Sequence, residues 1–489
     1  MKALGDVVRV TRGFRRSMHV ERDAGRPLSD TYIPTTRAVH TLRRLTQAMT
    51  DDTRGRAWSI TGPYGTGKSS FALFVDALLG PPGPLRAATT ATLANADPDL
   101  VAQLEAGRAR FDPTGEFTRA VATSRREPVT ATIIRALRHG VERRWPTGTP
   151  REVADAVRSA EAAGDLGAVL ECVKRLSEHG PVLLLIDEFG KNLEYLADDP
   201  AAGDLFVLQE LAEHATSDAD HPLYLVTLQH LAYADYATAA ALRPTARREW
   251  GKVQGRFEDI AFLDGAEQAG QVISAALDHS AMPAALQRRV RTWAEGSADA
   301  LRQLGLPPGD RNLLAACYPL HPTVALILPE LCARYGQHER TLAGFVASGD
   351  PGSVAHFLDR AALPHRGVLP AVRLYDVYAY FVGSSSVGPL GHDTSRWVEI
   401  ATRLQEVHGL DELDQQILQA VGVLNLIAAG GALRASPALL GFALFDTPEP
   451  PGELLARLAD LERRGLVTYR AFADEYRLWQ GSDFPLRCE

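Results

Sequence analysis

The residues from Gly62 to Ser69 read Gly-Pro-Tyr-Gly-Thr-Gly-Lys-Ser and match the spacing G-x-x-x-x-G-K-[ST]. In this pattern the backbone N–H groups of a glycine-rich turn surround a phosphate at a helix N-terminus. Glycines allow positive φ angles, the Lys68 ammonium reaches the β- and γ-phosphates, and the Ser69 hydroxyl is a magnesium ligand. The predicted contacts to the phosphates are Gly62, Pro63, Tyr64, Gly65, Thr66, Gly67, Lys68, Ser69 and Ser70.

Two carboxylates follow the apolar run of residues 182–186. Asp187 and Glu188 stand at the carboxyl end of this predicted strand, where ligands of open α/β sheets bind. Adjacent charges at the end of an apolar strand are costly unless they are used. We expect Asp187 to hold Mg²⁺ through water and Glu188 to act as the general base toward the attacking water. The adjacent acidic pair, with a strand between the two motifs, favours an ATPase over a nucleotide kinase.

Three more side chains are candidates for the remaining catalytic roles. Gln229 ends the apolar segment PLYLVTLQ and is predicted to orient the water between phosphate and Glu188, with a surface glutamine as the alternative. Arg256, in GRFEDI, is predicted to reach a neighbouring subunit and stabilise charge on the transferring oxygens, with an intramolecular salt bridge as the alternative. Arg340, in QHERTL, is a candidate contact to the γ-phosphate, against a solvated helix face.

Other conspicuous residues favour structural roles. Lys191 and Glu194 follow the acidic pair at helical spacing, so an ion pair on a lid or helix surface is expected rather than catalysis. His321 lies between apolar neighbours with no second ligand nearby, which favours a packed core histidine over a metal ligand. The cysteines form no C-x-x-C pair, so neither a disulfide framework nor a zinc ribbon is expected; they are Cys172, Cys317, Cys332 and Cys488.

An alternation of strands and helices must position the phosphate loop and the acidic pair. A short apolar run at 57–61 precedes the loop, and the helix SFALFVDALL follows it. The predicted strands FTRAVAT, VLLLID, PLYLVTLQH and RFEDIAFL then alternate with helical segments. Residues 81–115, rich in Pro, Gly and Ala, are expected to be an insertion with one weak helix. This order specifies an α/β fold with a doubly wound parallel sheet.

The pattern changes twice beyond the predicted sheet. Residues after about 266 have almost wholly helical periodicity, which predicts a helical lid. Two helices and the two-stranded ribbon LVTYRAF and EYRLW, turned by Ala473 and Asp474, then predict a winged helix. The predicted organisation is residues 1–55 as a lead-in, 56–265 as a P-loop ATPase core, 266–405 as the lid and 406–489 as a winged-helix domain.

Composition restricts the class of protein. The formal net charge of −8 lacks the global basic footprint of a protein that coats nucleic acid, although local basic patches can still bind it. Apolar runs stop short of the roughly 20 residues that a bilayer crossing needs. The amino terminus MKALGDVVRVTRGFRRS lacks the apolar core of a secretory signal. A cytoplasmic protein without membrane contact is expected.

Four segments carry a resemblance to a known family: GPYGTGKSSFAL, LLLIDEFGKNLEYL, YPLHPTVALILPELCARYGQHERTL and YRLWQGSDF. In them the chain resembles the large AAA-like ATPases of bacterial anti-phage systems, of the BREX and phage growth limitation type. The resemblance implies an ATPase that assembles with other defence proteins, in a fold related to origin-recognition ATPases. The family's nucleotide roles fall on Lys68, Ser69, Asp187 and Glu188. Those proteins continue for hundreds of residues beyond GSDFPLRCE, so their carboxyl-terminal part is expected to be absent or encoded separately.

Three functions compete at this point. The first is an oligomeric ATPase that powers or switches a multiprotein, DNA-bound defence complex. The second is a nucleotide-controlled interaction module with little hydrolysis. The third is a DNA-binding regulator that uses the winged helix and the basic segments RGFRR and RPTARRE. The expected partners are ATP with Mg²⁺, a second copy of the chain, other defence proteins and double-stranded DNA.

Overall fold

The chain divides into two compact units, one formed by Arg16–Asp264 and one by Met1–Arg15 with Gly265–Glu489. The computed structural model describes residues 3–11, 18–27, 32–63, 65–111, 116–199, 205–217, 222–240, 242–262, 265–307, 309–335, 342–364, 367–383, 409–427 and 433–478. Within these ranges, no helix has the length and apolar character needed to cross a membrane.

The first unit is built on a parallel sheet, as the alternation of strands and helices predicts. Its five described strands lie in the order β3-β4-β5-β2-β6. Their bounds are β2 (Ala57–Thr61), β3 (Thr118–Thr123), β4 (Val182–Asp187), β5 (Leu223–Gln229) and β6 (Glu258–Ala261). β4 lies inside the sheet and all of its residues are buried, which is why its sequence is an unbroken apolar run.

Helices cover both faces of this sheet. Alternate residues of β4 enter different hydrophobic clusters, with Leu184 on one face and Leu183 and Leu185 on the other. The helices of this unit are α1 (Val20–Asp23), α2 (Thr36–Thr50), α3 (Lys68–Leu78), α4 (Pro84–Ala96), α5 (Pro98–Ala109), α6 (Val129–Arg144), α7 (Arg151–Ala163), α8 (Leu166–Ser177), α9 (Gly190–Asp198), α10 (Phe206–Ser217), α11 (Tyr233–Ala239) and α12 (Pro244–Gln254). The unit is therefore a doubly wound α/β layer.

The segment predicted as an insertion with one weak helix contains two helices, α4 and α5. Leu93, Leu100 and Leu104 are fully buried, although alanines and threonines dilute their helical spacing in the sequence. Asp97 separates the helices and caps α5, because its carboxylate accepts a hydrogen bond of 3.0 Å from the Leu100 N–H. Leu93 in α4 and the pair Leu100 and Leu104 in α5 join one hydrophobic cluster of the unit, and this packing explains why both helices form.

The first residues of the chain fold with the second unit, which differs from the prediction of a single lead-in over residues 1–55. Strand β1 (Arg9–Val10) pairs antiparallel with β7 (Leu277–Asp278), and Leu4 N donates to Ala361 O at 2.7 Å. A short 3₁₀ helix (Leu4–Asp6) precedes the strand. The apolar side chains of this short segment supply the physical reason, because they join the hydrophobic core of the second unit.

The second unit is helical and ends in a winged helix. Its helices are α13 (Ala266–Ala276), α14 (Ala284–Gln303), α15 (Arg311–Ala316), α16 (Pro322–Tyr335), α17 (Leu342–Ala347), α18 (Val354–Arg360), α19 (Leu374–Gly383), α20 (Glu412–Ile427), α21 (Pro437–Phe445) and α22 (Gly452–Arg463). The wing is the antiparallel hairpin of β8 (Val467–Arg470) and β9 (Glu475–Leu478). Helix α21 was not predicted. One hydrophobic core runs through the helical region and the winged helix, so the two form a single unit.

A buried polar network joins the winged helix to the helices before it. Asp446, which ends α21 with a left-handed φ of 59°, accepts hydrogen bonds from Trp293 Nε1 at 3.2 Å and Arg373 Nη2 at 2.7 Å. His321 Nε2 lies 3.2 Å from the same carboxylate, and its ring is completely buried. Burial lowers the pKa of His321 to about 4, although Asp446 opposes this shift. His321 is therefore neutral in the folded unit at neutral pH.

Because His321 is buried and neutral, we expect the free energy of unfolding to decrease as the pH is lowered below about 6.5. The unfolded chain takes up a proton on His321 near the ordinary pKa of about 6.5, whereas the folded unit does so only near pH 4, so the loss is about 2 kcal/mol by pH 5. Urea unfolding at several pH values measures it. His321→Gln is expected to reduce the decrease in the free energy of unfolding between pH 6.5 and 5. The control His356→Gln should show the same decrease as wild type. Equal declines in wild type and His321→Gln would contradict the assignment.

Candidate functional site

The phosphate loop connects the end of β2 to the start of α3. Gly65 and Gly67 have left-handed φ angles of 78° and 85°, which side chains rarely adopt. A Cβ atom on Gly67 would meet no atom within 4 Å, whereas one on Gly62 would lie 2.6 Å from the carbonyl oxygen of Phe262. The loop is thus tightly packed where it leaves β2 and open where α3 begins. Tyr64 lies outside the described residues.

Lys68 is the first residue of α3, and its ammonium group turns back into the loop. Its Nζ donates hydrogen bonds to the carbonyl oxygens of Gly62 and, at 2.7 Å, Pro63. Burial lowers the pKa of Lys68 to about 8, against the opposing charge of Asp187. A partly desolvated ammonium interacts more strongly with an anion than one in water does. The loop carbonyls therefore hold a cation ready beside a turn that is open to a phosphate.

A hydrogen bond joins the phosphate loop to the acidic pair. Ser69 Oγ donates to Asp187 Oδ2 at 2.7 Å across 118 positions of sequence, and Glu188 N donates to Asp187 Oδ1 at 2.8 Å. Burial raises the pKa of Asp187, so a cation beside it would favour the charged carboxylate. A hydroxyl and a carboxylate oxygen in contact are ligands of the type that Mg²⁺ takes together with phosphate and water.

The donor set fits Mg²⁺ bound with a nucleotide better than a metal held by protein alone. In the part of the chain that the structure describes, no group of three or more His, Cys, Asp or Glu side chains could hold a metal ion. Mg²⁺ usually keeps several waters and uses one or two carboxylates plus substrate phosphates. Ser69 and Asp187 fit that limited protein contribution.

Glu188 begins the turn that follows β4. Its backbone has a left-handed φ of 52°, and its side chain is partly exposed. The carboxylate Oε2 accepts a hydrogen bond from Lys191 Nζ, three residues later. The ion pair expected for Lys191 therefore exists, and its partner is Glu188.

Gln229 ends β5, between the strand that leads into the phosphate loop and the strand that carries the acidic pair. Its side chain is buried, and Nε2 donates to Ser59 Oγ at 2.7 Å. Its Oε1 has no hydrogen-bond partner among the described residues, and the same holds for Ser124 Oγ just beyond β3. Buried polar atoms without partners are uncommon, so this edge of the sheet has unused capacity to bind water or a ligand.

Of the two candidate arginines, the structure describes Arg256. Arg256 precedes β6, and Glu258 at the start of that strand lies opposite Trp58, whereas the phosphate loop begins beyond Thr61. Arg256 therefore lies at the amino-terminal ends of the parallel strands, whereas the phosphate loop lies at their carboxyl-terminal ends. It is half exposed, and its Nη2 is 3.0 Å from Glu213 Oε1. The intramolecular salt bridge named as the alternative is present, and Arg256 is remote from the phosphate loop of its own chain. Arg340 lies outside the described residues.

Sequence reasoning missed a histidine and a tyrosine beside the acidic turn. His230 directly follows Gln229, and its Nδ1 is 2.7 Å from the Tyr236 hydroxyl. Burial and, to a lesser degree, the charge of Lys68 lower the pKa of His230. A Cβ atom on Gly190 would lie 2.1 Å from the same hydroxyl. The polar ending of PLYLVTLQH was the available signal, but the contact with Gly190 depends on tertiary packing.

The sheet order, the phosphate loop and the adjacent acidic pair define a P-loop protein of AAA+-like α/β fold with a carboxyl-terminal winged helix. No protein-family model and no curated protein matches the chain. Among solved structures it is similar to the Aeropyrum pernix ORC2 protein in its ADPNP–ADP complexes, at 12% identity over 97% of this chain and 95% of that chain, with a TM-score of 0.35. The ADP form of ORC2 gives 12% identity, coverage of 96% and 94%, and a TM-score of 0.34. At these TM-scores the likeness carries no weight in the functional argument.

The packing of Gly190 predicts a specific double-mutant result. Gly190→Ala should destabilise the first unit by about 1–3 kcal/mol, because the new methyl group overlaps the Tyr236 hydroxyl. Adding Tyr236→Phe removes the hydroxyl and should recover part of this loss. Recovery is incomplete because the ring carbon Cζ at position 236 would still lie 2.9 Å from the new methyl group. Urea unfolding measures both changes. Gly251→Ala, in open space on α12, is the matched control and should cost nothing; equal effects at the two glycines would refute the contact.

Proposed function

We propose that this chain binds ATP together with Mg²⁺ and hydrolyses it to ADP and phosphate. The observation that carries the proposal is the 2.7 Å hydrogen bond from Ser69 to Asp187, which brings the phosphate loop and the acidic pair into one site. Either motif alone is weaker support, because glycine-rich turns and acidic strand ends occur separately in many proteins. Their contact supports a nucleotide site with a metal position beside it.

In this proposal each residue of the site has a separate role. The backbone of the loop from Gly62 to Ser70 and the Lys68 ammonium hold the phosphates. Ser69 and Asp187 hold Mg²⁺, which when bound offsets negative charge on the phosphate oxygens. Glu188 accepts a proton from the attacking water, and Gln229 orients that water from the neighbouring strand.

We also propose that the site is completed by a second copy of the chain. Arg256 is half exposed at the end of the parallel strands opposite its own phosphate loop, which supports a contact with the nucleotide of a neighbouring subunit rather than with its own. Its present partner, Glu213, is an exposed carboxylate that an intersubunit contact could replace. Arg340 keeps its proposed role as a contact to the γ-phosphate.

At the level of the cell, we propose a motor or switch within a multiprotein anti-phage defence complex. This step depends on the resemblance of the four segments quoted above. The outward side of α12 favours double-stranded DNA as a partner, because its basic residues are exposed while Trp250 and Val253 are buried. These basic residues are Arg247, Arg248 and Lys252, with Arg243 at the N-cap before the helix.

The hydrolysis proposal predicts different effects for two site variants. Glu188→Gln should lower ATP turnover by about 10²-fold or more without loss of ATP binding, because only the base is removed. Lys68→Ala should lose ATP binding itself. Phosphate release and fluorescent-nucleotide titration, with and without double-stranded DNA, measure the two quantities, and Glu194→Gln on the following helix is the control. ATP binding without turnover in wild type, under every condition, would favour the nucleotide-controlled interaction module.

The lowered pKa of Lys68 predicts how ATP affinity depends on pH. Below about pH 8 the ammonium is charged and the dissociation constant should be constant. Above about pH 8 the Lys68 ammonium of the free protein loses its charge. The dissociation constant for ATP should therefore rise, and the rise should approach tenfold per pH unit. Lys68→Arg stays charged throughout and should remove the slope. Titrations between about pH 7 and 10 test this; parallel slopes in wild type and Lys68→Arg would exclude Lys68 as the titrating group.

A further inference from the structure

Buried contacts fix the backbone of the turn that follows β4. Phe189 N donates to Leu228 O at 2.8 Å, and the Phe189 ring is fully buried. Asn192 is also fully buried, and its Nδ2 donates to Glu127 O at 2.8 Å and Thr132 Oγ1 at 3.0 Å. Phe189 and Asn192 therefore anchor the turn to neighbouring strands and helices.

Two side chains of this anchored turn, Glu188 and Lys191, remain at the surface and pair with each other. Their exposed fractions are 39% and 45%, and they are three residues apart. Exposed pairs of this kind contribute little to folding, because water and salt screen them and two flexible side chains must be ordered. The pair can therefore open without disturbing the fold around it.

The pair also determines where the Glu188 carboxylate is directed. Oε2 of this carboxylate is engaged by the Lys191 ammonium on α9. A general base needs a free carboxylate oxygen within hydrogen-bond reach of the water that it deprotonates. Lys191 binds one of the two oxygens, Oε2, and thereby holds the Glu188 carboxylate toward α9.

We propose that Lys191 is a positioning residue that holds Glu188 in a resting orientation and lowers the basal rate of ATP hydrolysis. The inference rests on the proposed function, since it assigns a control to the same site. Opening the Glu188–Lys191 pair frees the carboxylate for water, while the anchored backbone keeps Glu188 beside Asp187. Nucleotide binding itself does not use Lys191.

Steady-state phosphate release at saturating ATP tests the proposal directly. Lys191→Met should raise kcat by about threefold or more, the factor expected from opening an exposed ion pair, with KM and ATP affinity unchanged. Lys191→Arg keeps a cation and should behave as wild type. Lys252→Met is the matched control, because Lys252 forms an exposed pair with Glu249 at the same spacing on another helix. A merely structural role for Lys191 would not separate kcat from KM in this way.

Ionic strength supplies a second measurement. Salt screens the pair, so wild-type kcat should approach that of Lys191→Met as ionic strength rises from about 0.05 M to 0.5 M. A Lys191→Met rate equal to or below the wild-type rate, including no turnover in either, overturns the inference. The double variant Glu188→Gln with Lys191→Met separates the two proposals. If it retains the raised rate, Glu188 is not the base and that assignment within the proposed function fails; if only Lys191→Met lacks an effect, the restraint alone fails.

Discussion

The burial of the Asp187 carboxylate is the constraint on which the arrangement of the site depends. Asp187 ends a strand whose residues are all buried, so water does not solvate its charge. The Ser69 hydroxyl, the Glu188 N–H and the positive charge of Lys68 compensate instead. Two of these groups belong to the start of α3, so the phosphate loop must lie at the same edge of the sheet as the acidic pair. The strand order, with β5 between β2 and β4, satisfies this requirement.

The sheet and the phosphate loop could be predicted because their signals are local. An unbroken apolar run specifies a doubly covered strand such as β4, and glycine spacing specifies the loop. Helices α4 and α21 and strand β1 were missed for different physical reasons. Alanines and threonines dilute the pattern of α4, α21 is apolar on all sides, and β1 is two residues long and forms only because β7 pairs with it. Tertiary contacts override weak local preference in all three.

The contact between the phosphate loop and the acidic pair could be predicted, but not the partner of each polar side chain. Asp187 and Ser69 meet as two separate motifs suggest they should. Lys191 pairs with Glu188 rather than Glu194, and because both glutamates are three residues from Lys191, sequence spacing alone does not choose between them. The requirement for glycine at position 190 likewise comes from Tyr236, a residue on another helix. Contacts between distant segments decide these details.

Three side chains of the proposed nucleotide site already have internal partners. Lys68 donates to carbonyls of its own loop, Ser69 donates to Asp187, and Glu188 pairs with Lys191. Binding of the proposed ATP would thus exchange hydrogen bonds at these side chains rather than create them, which lowers the net gain in affinity. Among the described atoms of the site, Gln229 Oε1 is an exception, since it is buried without a partner. In the proposed mechanism Gln229 orients the attacking water, and this unpaired oxygen is the atom of the Gln229 amide that can accept a hydrogen bond from it.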